Sequence, residues 1–271
     1  MVLSCKPFAD KIKEEIRDYL KYTTIWNREP CLCVIQVGDN PASNSYIKGK
    51  KRDCEDVGIK FIHHHIVNEN ISEDELIDII NLYNDDNTVD GIIVQLPLPS
   101  HLDERIICNC VDLFKDVDGF RDDAIFTPCT PKGIMRIISE CGIDLAGKHC
   151  VMVGSGRVGR PTGNLMMDKK ATVTFCNSKT DGLGYLTYMA DVIVVAAGRP
   201  HMIKSNWISN DTLIIDVGIN RDENGKLIGD VDRIFDDHPN ITITPVPGGV
   251  GLMTRVSLLE NVIKAYAFNI T

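Results

Sequence analysis

The stretch that most constrains this chain runs from His149 to Thr162. There an apolar segment, Cys150 to Val153, stops at three glycines spaced Gly154-x-Gly156-x-x-Gly159, and helical spacing resumes through Leu165, Met166 and Met167. Strand, tight turn and helix start, in that order, make up the βα unit that holds a dinucleotide. Gly154 can take the turn, Gly156 lets the backbone approach a phosphate, and Gly159 lets the helix lie against the strand. The unpaired N–H groups and positive dipole end of the new helix would hold a pyrophosphate. Pro161 falls near the first turn, where its missing N–H does little harm. Three glycines alone also fit an ordinary loop; the flanking strand and helix favour dinucleotide binding.

The same alternation extends along the chain. Amphipathic spacing predicts a helix over Phe8–Tyr22, and the apolar run Cys31–Val37, ended by Gly38-Asp39-Asn40-Pro41, predicts a strand. A helix over Ser43–Val57, a strand over Ile59–Val67 and a helix opened by a Ser72/Glu75 capping box follow. Gly91–Gln95 is a third strand, and Asp103–Cys110 a short helix. Beyond a Pro-Cys-Thr-Pro break near Thr130 come a helix over Lys132–Glu140 and, after the glycine turn, strands at Ala171–Cys176, Val192–Ala196, Leu213–Val217 and Ile241–Thr244. Helices are expected at Leu183–Met189, near Val231–Phe235, and at Thr254–Ala267. This is an α/β chain with parallel sheets covered on both faces. Residues 1–130 form one domain, completed by a returning C-terminal helix (251–271), and residues 131–250 form the nucleotide-type domain.

Composition narrows the partners. A net charge of −9 without a basic tail excludes a general binder of nucleic acid or anionic membrane. No apolar run reaches the ~18–20 residues that span a bilayer. The mixed charges of Met1–Glu15 resemble neither a signal nor a transit peptide. The ten cysteines include no C-x-x-C pair, and Cys31, Cys33, Cys108 and Cys110 sit in apolar segments, so buried thiols in a reducing cytoplasm are expected.

Chemistry concentrates at strand ends. Tyr46 and Lys50 lie four apart on a helix that starts beyond a strand's carboxyl end, where open α/β sheets place ligands. With Lys48, Lys51 and Arg52 they also read as a solvated basic face; a catalytic lysine requires Lys50 to be desolvated. Gln95 ends the third strand and should reach the same edge, orienting a lysine without fixing it in its charged form. Asp118, beside Gly119, either shapes a turn or accepts paired N–H donors from a heterocycle. His63, His64 and His65 alternate faces of a strand, have no complementary cluster and are expected to be structural, with no metal.

Several blocks together carry a resemblance. Gly38-Asp39-Asn40-Pro41-Ala42-Ser43 with Tyr46-x-x-x-Lys50, Val94-Gln95-Leu96-Pro97-Leu98-Pro99, Lys115-Asp116-Val117-Asp118-Gly119, Pro128-Cys129-Thr130-Pro131-Lys132-Gly133 and Pro245-Val246-Pro247-Gly248-Gly249-Val250-Gly251-x-Met253-Thr254 occur in this order. The chain thereby resembles the methylenetetrahydrofolate dehydrogenase/methenyltetrahydrofolate cyclohydrolase family. That resemblance implies two α/β domains flanking a cleft, the second of Rossmann type, usually in a homodimer. It implies oxidation of 5,10-methylenetetrahydrofolate by NAD(P) and hydrolysis of the methenyl product to 10-formyltetrahydrofolate, in cytoplasmic one-carbon metabolism that feeds purine biosynthesis. Carried over by position, Tyr46 borders the folate rings, Lys50 assists water attack, Gln95 holds Lys50, and Asp118 grips the pterin. Leu96, Pro97, Pro247, Gly248, Gly249 and Leu252 line the substrate. Gly154, Ser155, Gly156, Arg157, Val158, Gly159, Ser178, Lys179, Ala197, Gly198, Gly218 and Ile219 hold the nucleotide.

The chain departs from the family pattern twice. Its glycine loop, Gly154-Ser155-Gly156-Arg157-Val158-Gly159, is one residue shorter than Gly-x-Ser-x-x-Val-Gly, and Phe120–Phe126 replaces a longer His-Pro-x-Asn-x-Gly-like segment. Nucleotide choice is therefore argued locally. The second strand's end, Phe175-Cys176-Asn177-Ser178-Lys179-Thr180, has no acid before Asp181 to bind ribose hydroxyls, whereas Ser178, Lys179 and Arg157 suit a 2′-phosphate. NADP is expected over NAD. A monofunctional dehydrogenase or cyclohydrolase of the same family and a non-catalytic nucleotide sensor are the alternatives; the sensor gives no reason for Tyr46, Lys50, Gln95 and Asp118 to converge.

Overall fold

The computed structural model describes residues 1–23, 28–232 and 240–269. Internal packing divides the chain into two compact units: Lys11–Cys129 with Arg255–Thr271, and Met1–Asp10 with Thr130–Thr254.

In the first of these, α1 (Lys6–Tyr22, from Lys11 onward), β1 (Cys31–Val37), α2 (Pro41–Val57), β2 (Lys60–Ile66), α3 (Glu73–Asn84), β3 (Gly91–Val94) and α4 (Glu104–Asn109) follow the expected alternation. The strands form a parallel sheet in the order β2-β1-β3. Every residue of the central β1 is buried, which is why its sequence is apolar throughout except for Gln36 and does not alternate. Because the chain steps from β1 to β2 on one side and then to β3 on the other, the order reverses at the carboxyl ends of β1 and β3. Ligands bind parallel sheets at such a reversal. Helix α2 starts there: Asn40 caps it through Ala42 N–H (2.9 Å) and Ser43 N–H (3.2 Å), and Gly58, at φ 88°, ends it. The Ser72/Glu75 capping box is present at α3.

The other unit holds α5 (Cys129–Glu140, from Thr130 onward), β4 (His149–Val153), α6 (Gly159–Asp168), β5 (Thr172–Cys176), α7 (Leu183–Tyr188), β6 (Val192–Val195) and β7 (Leu213–Asp216). The short strands β8 (Asn220–Arg221), β9 (Leu227–Ile228) and β10 (Thr242–Ile243) follow, and α8 (Val250–Asn269) begins here. The parallel sheet runs β10-β7-β6-β4-β5, so the direction reverses beside β4. Met1–Asp10 pack with this unit, where a boundary at residue 130 puts them in the other. The reason is the edge strand β10: Leu3 N–H donates to Ile243 O (2.8 Å), Val2 bridges Ile243, and Cys5 N–H donates to Gly248 O (3.1 Å). Of the helix expected near Val231–Phe235, Val231 instead bridges Ile203 and Asp232 lies outside any helix, while Arg233, Ile234 and Phe235 lie outside the described residues. Helix α5 starts three residues earlier than expected and α8 four; Pro131 sits in the first turn of α5, where its missing N–H does little harm.

Candidate active site and nucleotide site

Lys50 and Gln95 meet as their positions demand. Lys50 is on the inner face of α2 and 7% exposed, while Lys48, Lys51 and Arg52 face solvent, so the basic-face reading holds for the three neighbours and fails for Lys50. Its Nζ donates to Gln95 Oε1 at 3.1 Å. The Gln95 amide is oriented by its other end, Nε2 donating to Leu96 O at 2.8 Å. The partner of Lys50 is thus a neutral acceptor just past β3. Leu96 is half-buried and Pro97 exposed, and the Leu96–Pro97 peptide is cis.

Tyr46 lies one turn before Lys50 on α2. Burial raises its phenol above the ordinary value; Arg255 opposes that shift and Asp118 adds to it. Among the described residues no N–H donates to the Asp118 carboxylate. The turn-shaping role open to Asp118 falls instead to Asp116, which the sequence reading did not single out. Asp116 is 3% exposed and accepts from Gly119 N–H (3.1 Å), Phe120 N–H (3.2 Å) and Arg121 N–H (2.9 Å). Burial pushes its carboxyl up to about 6, with Asp118 adding and the three N–H groups opposing. Ile92, Val94, Cys108, Asp116, Asp118 and Phe120 border a small recess that opens to solvent.

In the other unit the three glycines separate by packing. A Cβ on Gly154, at φ +107°, would lie 2.2 Å from Ala196 O, and one on Gly159 would lie 1.9 Å from Gly154 O. Gly156 faces open space, with nothing within 4 Å of a Cβ built there. Val158 precedes α6 with no side-chain cap; in the first turn Arg160 N–H donates to Gly156 O at 3.1 Å and Pro161 has no N–H, so Gly159 N–H is the donor that turn offers an anion. Ser155 is half-buried; Gly156 and Arg157 are exposed, as are Ser178 and Lys179 past β5. These residues fit a pyrophosphate and a flanking phosphate.

The loops after β6 and β7 are shaped by two aspartates that the sequence reading missed. Asp230, fully buried, accepts from Ala197 N–H (2.7 Å), Gly198 N–H (2.8 Å), Arg199 N–H (2.8 Å) and Asn220 Nδ2 (2.8 Å). Asp216 accepts from Gly218 N–H (2.9 Å), Asp230 N–H (2.9 Å) and Val231 N–H (3.0 Å), and burial pushes it up to about 6. The Ala197 and Gly198 N–H groups are therefore already committed to Asp230. Gly218 is buried against Asp230 and Ile219 is exposed. Pro247 is exposed, Gly248 (φ +105°) and Leu252 are half-buried, and Gly249 is buried against Pro245. The only sequence signal for the two acids is an Asp ending an apolar strand and a Gly-Asp-Val-Asp run.

The three histidines of the edge strand β2 bond to neighbouring protein groups, with His63 and His65 exposed and His64 half-buried. His63 Nε2 pairs with Gln36 Oε1 (2.9 Å), His65 Nε2 donates to Gly38 O (2.9 Å), and the two rings stack at 5.5 Å; His64 pairs with Tyr83 Oη (2.8 Å). The ten cysteines are not in disulfides and most are buried; burial pushes Cys5, Cys33 and Cys54 up to about 12.

Comparison with known proteins matches this arrangement. Residues 3–118 match the catalytic domain of tetrahydrofolate dehydrogenase/cyclohydrolase, and residues 128–270 match its NAD(P)-binding domain. The bifunctional protein FolD of Campylobacter jejuni is 43% identical over 275 residues, covering 97% of each chain. The crystal structure of a Campylobacter jejuni FolD superposes with a TM-score of 0.93 at 42% identity, covering 99% of each chain. The Trypanosoma brucei dehydrogenase-cyclohydrolase, solved with NADP and an inhibitor, gives 0.91 at 28% identity, covering 99% of this chain and 97% of that one. A buried lysine on a neutral glutamine in one unit, and an uncapped glycine-turn helix in the other, are thus set in a chain that belongs to the tetrahydrofolate dehydrogenase/cyclohydrolase family.

Proposed function

We propose that this protein oxidises 5,10-methylenetetrahydrofolate to the 5,10-methenyl cation and hydrolyses that cation to 10-formyltetrahydrofolate. The observation that carries it is the Lys50–Gln95 contact, a buried amine held at 3.1 Å by a neutral acceptor. A carboxylate partner would fix the ammonium; a glutamine carbonyl orients the nitrogen and leaves it able to exchange a proton with an attacking water. Tyr46 borders the folate rings and Asp118 accepts the pterin N–H groups. NAD(P), when bound, supplies the hydride acceptor. The Gly154–Gly159 turn holds its pyrophosphate, Gly159 N–H being the donor at the start of α6.

NADP is preferred over NAD. Ser178, Lys179 and Arg157 offer a hydroxyl and two cations near the end of β5, and no acid stands there before Asp181. The NADP held by the Trypanosoma brucei relative supports the same choice. Homodimeric assembly, a cytoplasmic location and supply of formyl groups to purine biosynthesis belong to this reading.

The test is an absorbance assay with 5,10-methylenetetrahydrofolate run in parallel with NAD and NADP. Faster reduction of NADP is expected; silence with both nucleotides alongside intact methenyl hydrolysis would leave a cyclohydrolase alone. Lys50→Met should abolish hydrolysis, by at least about 100-fold, while both ligands still bind. Hydrolysis at the parent rate would remove Lys50 from the mechanism.

A further inference from the structure

Asp118 stands open in a segment where its neighbours are fastened. The chain from Asp116 to Arg121 wraps around the buried Asp116 carboxylate, which draws in three consecutive N–H groups. Gly119, at φ +72°, takes the bend; a Cβ there would lie 2.7 Å from Phe126 O and 2.9 Å from Pro128 Cα, so the turn has no slack on its far side. The wrap is closed by the Arg121 guanidinium. Its Nη1 donates to the carbonyls of Asn109, the last residue of α4, and of Val111, two residues on, the latter at 2.6 Å. Its Nε and Nη2 donate to Asp123 at 2.7 and 2.9 Å. Asp123 is 60% exposed, so that ion pair is screened; the two carbonyls are the contacts that fix the side chain, which is 18% exposed. A planar guanidinium satisfies carbonyls on one side and a carboxylate on the other at once, and an ammonium does not.

We infer that Arg121 is a positioning residue for folate: by tying the Asp116–Asp123 turn to the end of α4, it holds the open Asp118 carboxylate where the pterin N–H groups meet it. This rests on the reading of Asp118 as the pterin acceptor. Without the tie, the turn must be ordered when substrate binds, and the loss falls on substrate affinity. Chemistry at the one-carbon bridge and nucleotide binding are left intact.

The test uses the full chain with Arg121→Met, Arg121→Lys and, as the reference, Asp118→Ala. Each is measured for KM and kcat with 5,10-methylenetetrahydrofolate, for nucleotide Kd by fluorescence, and for Tm. Arg121→Met is expected to raise the folate KM about tenfold, with kcat and nucleotide Kd within about twofold of the parent. Arg121→Lys, which can keep one carbonyl contact, should recover part of the loss. A folate KM within twofold of the parent in Arg121→Met, while Asp118→Ala raises it, overturns the inference, as does a parallel loss of nucleotide affinity. An unchanged KM in Asp118→Ala removes the reading beneath it and the inference together. Should Arg121→Met not fold, Arg121→Lys decides by the same folate-against-nucleotide split.

Discussion

Alanine placed at each glycine of the nucleotide turn should give two different outcomes. At Gly159 a Cβ would sit 1.9 Å from Gly154 O, and at Gly154 it would sit 2.2 Å from Ala196 O, both more than about 1 Å short of ordinary contact. Backbone cannot rotate away as a side chain can, so β4 must shift from α6 or β6. Gly154 also has φ +107°, which a Cβ disfavours by roughly 1–2 kcal/mol. Each variant should lose about 3 kcal/mol or more, which for a chain of this size lowers Tm by about 6–12 °C. Gly156 meets nothing within 4 Å, and its φ lies outside the left-handed region. Alanine there narrows the unfolded ensemble and should be neutral, or stabilising by up to about 1 kcal/mol. The open space beside Gly156 is where a pyrophosphate would approach the backbone. Gly156→Ala should therefore weaken NADP binding about 10–100-fold, a loss of about 1.4–2.8 kcal/mol. Thermal melts without nucleotide, paired with fluorescence titration of the reduced nucleotide, separate the two effects. Parent-like affinity in Gly156→Ala would refute the assignment of that space to the phosphate. A melt lowered as far as in Gly159→Ala would refute the packing argument.

Other outcomes follow from the buried carboxylates. Asp230→Ala strips the acceptor from three backbone N–H groups and Asn220, and should cost at least about 3 kcal/mol in urea unfolding. Arg28→Met leaves the fully buried Asp90 without its bidentate partner, at 2.7 Å through each nitrogen; about 3 kcal/mol is expected, and a loss under 1 kcal/mol would contradict it. Asp116 and Asp216 titrate near 6 in the fold against an ordinary 3.8, so the native state keeps protons that the unfolded chain releases. Stability should fall as pH rises from about 4 to about 6 and then level, by up to about 3 kcal/mol per group. Asp56, held low by Arg17 and Lys13, acts in a separate window: its contribution is lost only as pH falls below 3.8. A urea midpoint that climbs between pH 4.5 and 6.5 would mean that burial does not govern Asp116 and Asp216.

Local pattern determined most of the fold. The fully buried, largely apolar β1, the glycine turn after β4, the Asn40-Pro41 start of α2 and the Ser72/Glu75 box are each set by residues a few positions apart, and the structure realises all four. So did the meeting of Lys50 and Gln95, because a helix starting beyond one parallel strand and a residue ending the next reach the same edge. What the sequence could not disclose depends on partners far along the chain. That Lys50 is buried while Lys48 and Lys51 are not is decided by which face of α2 the sheet covers. Met1–Asp10 pack with the nucleotide-type unit because β10, some 240 residues on, offers an open edge to Leu3. Asp116, Asp216 and Asp230 look like ordinary turn acids in the sequence. Their role as acceptors for clusters of backbone N–H groups exists only once the loops converge on a buried carboxylate, where no water competes for those donors.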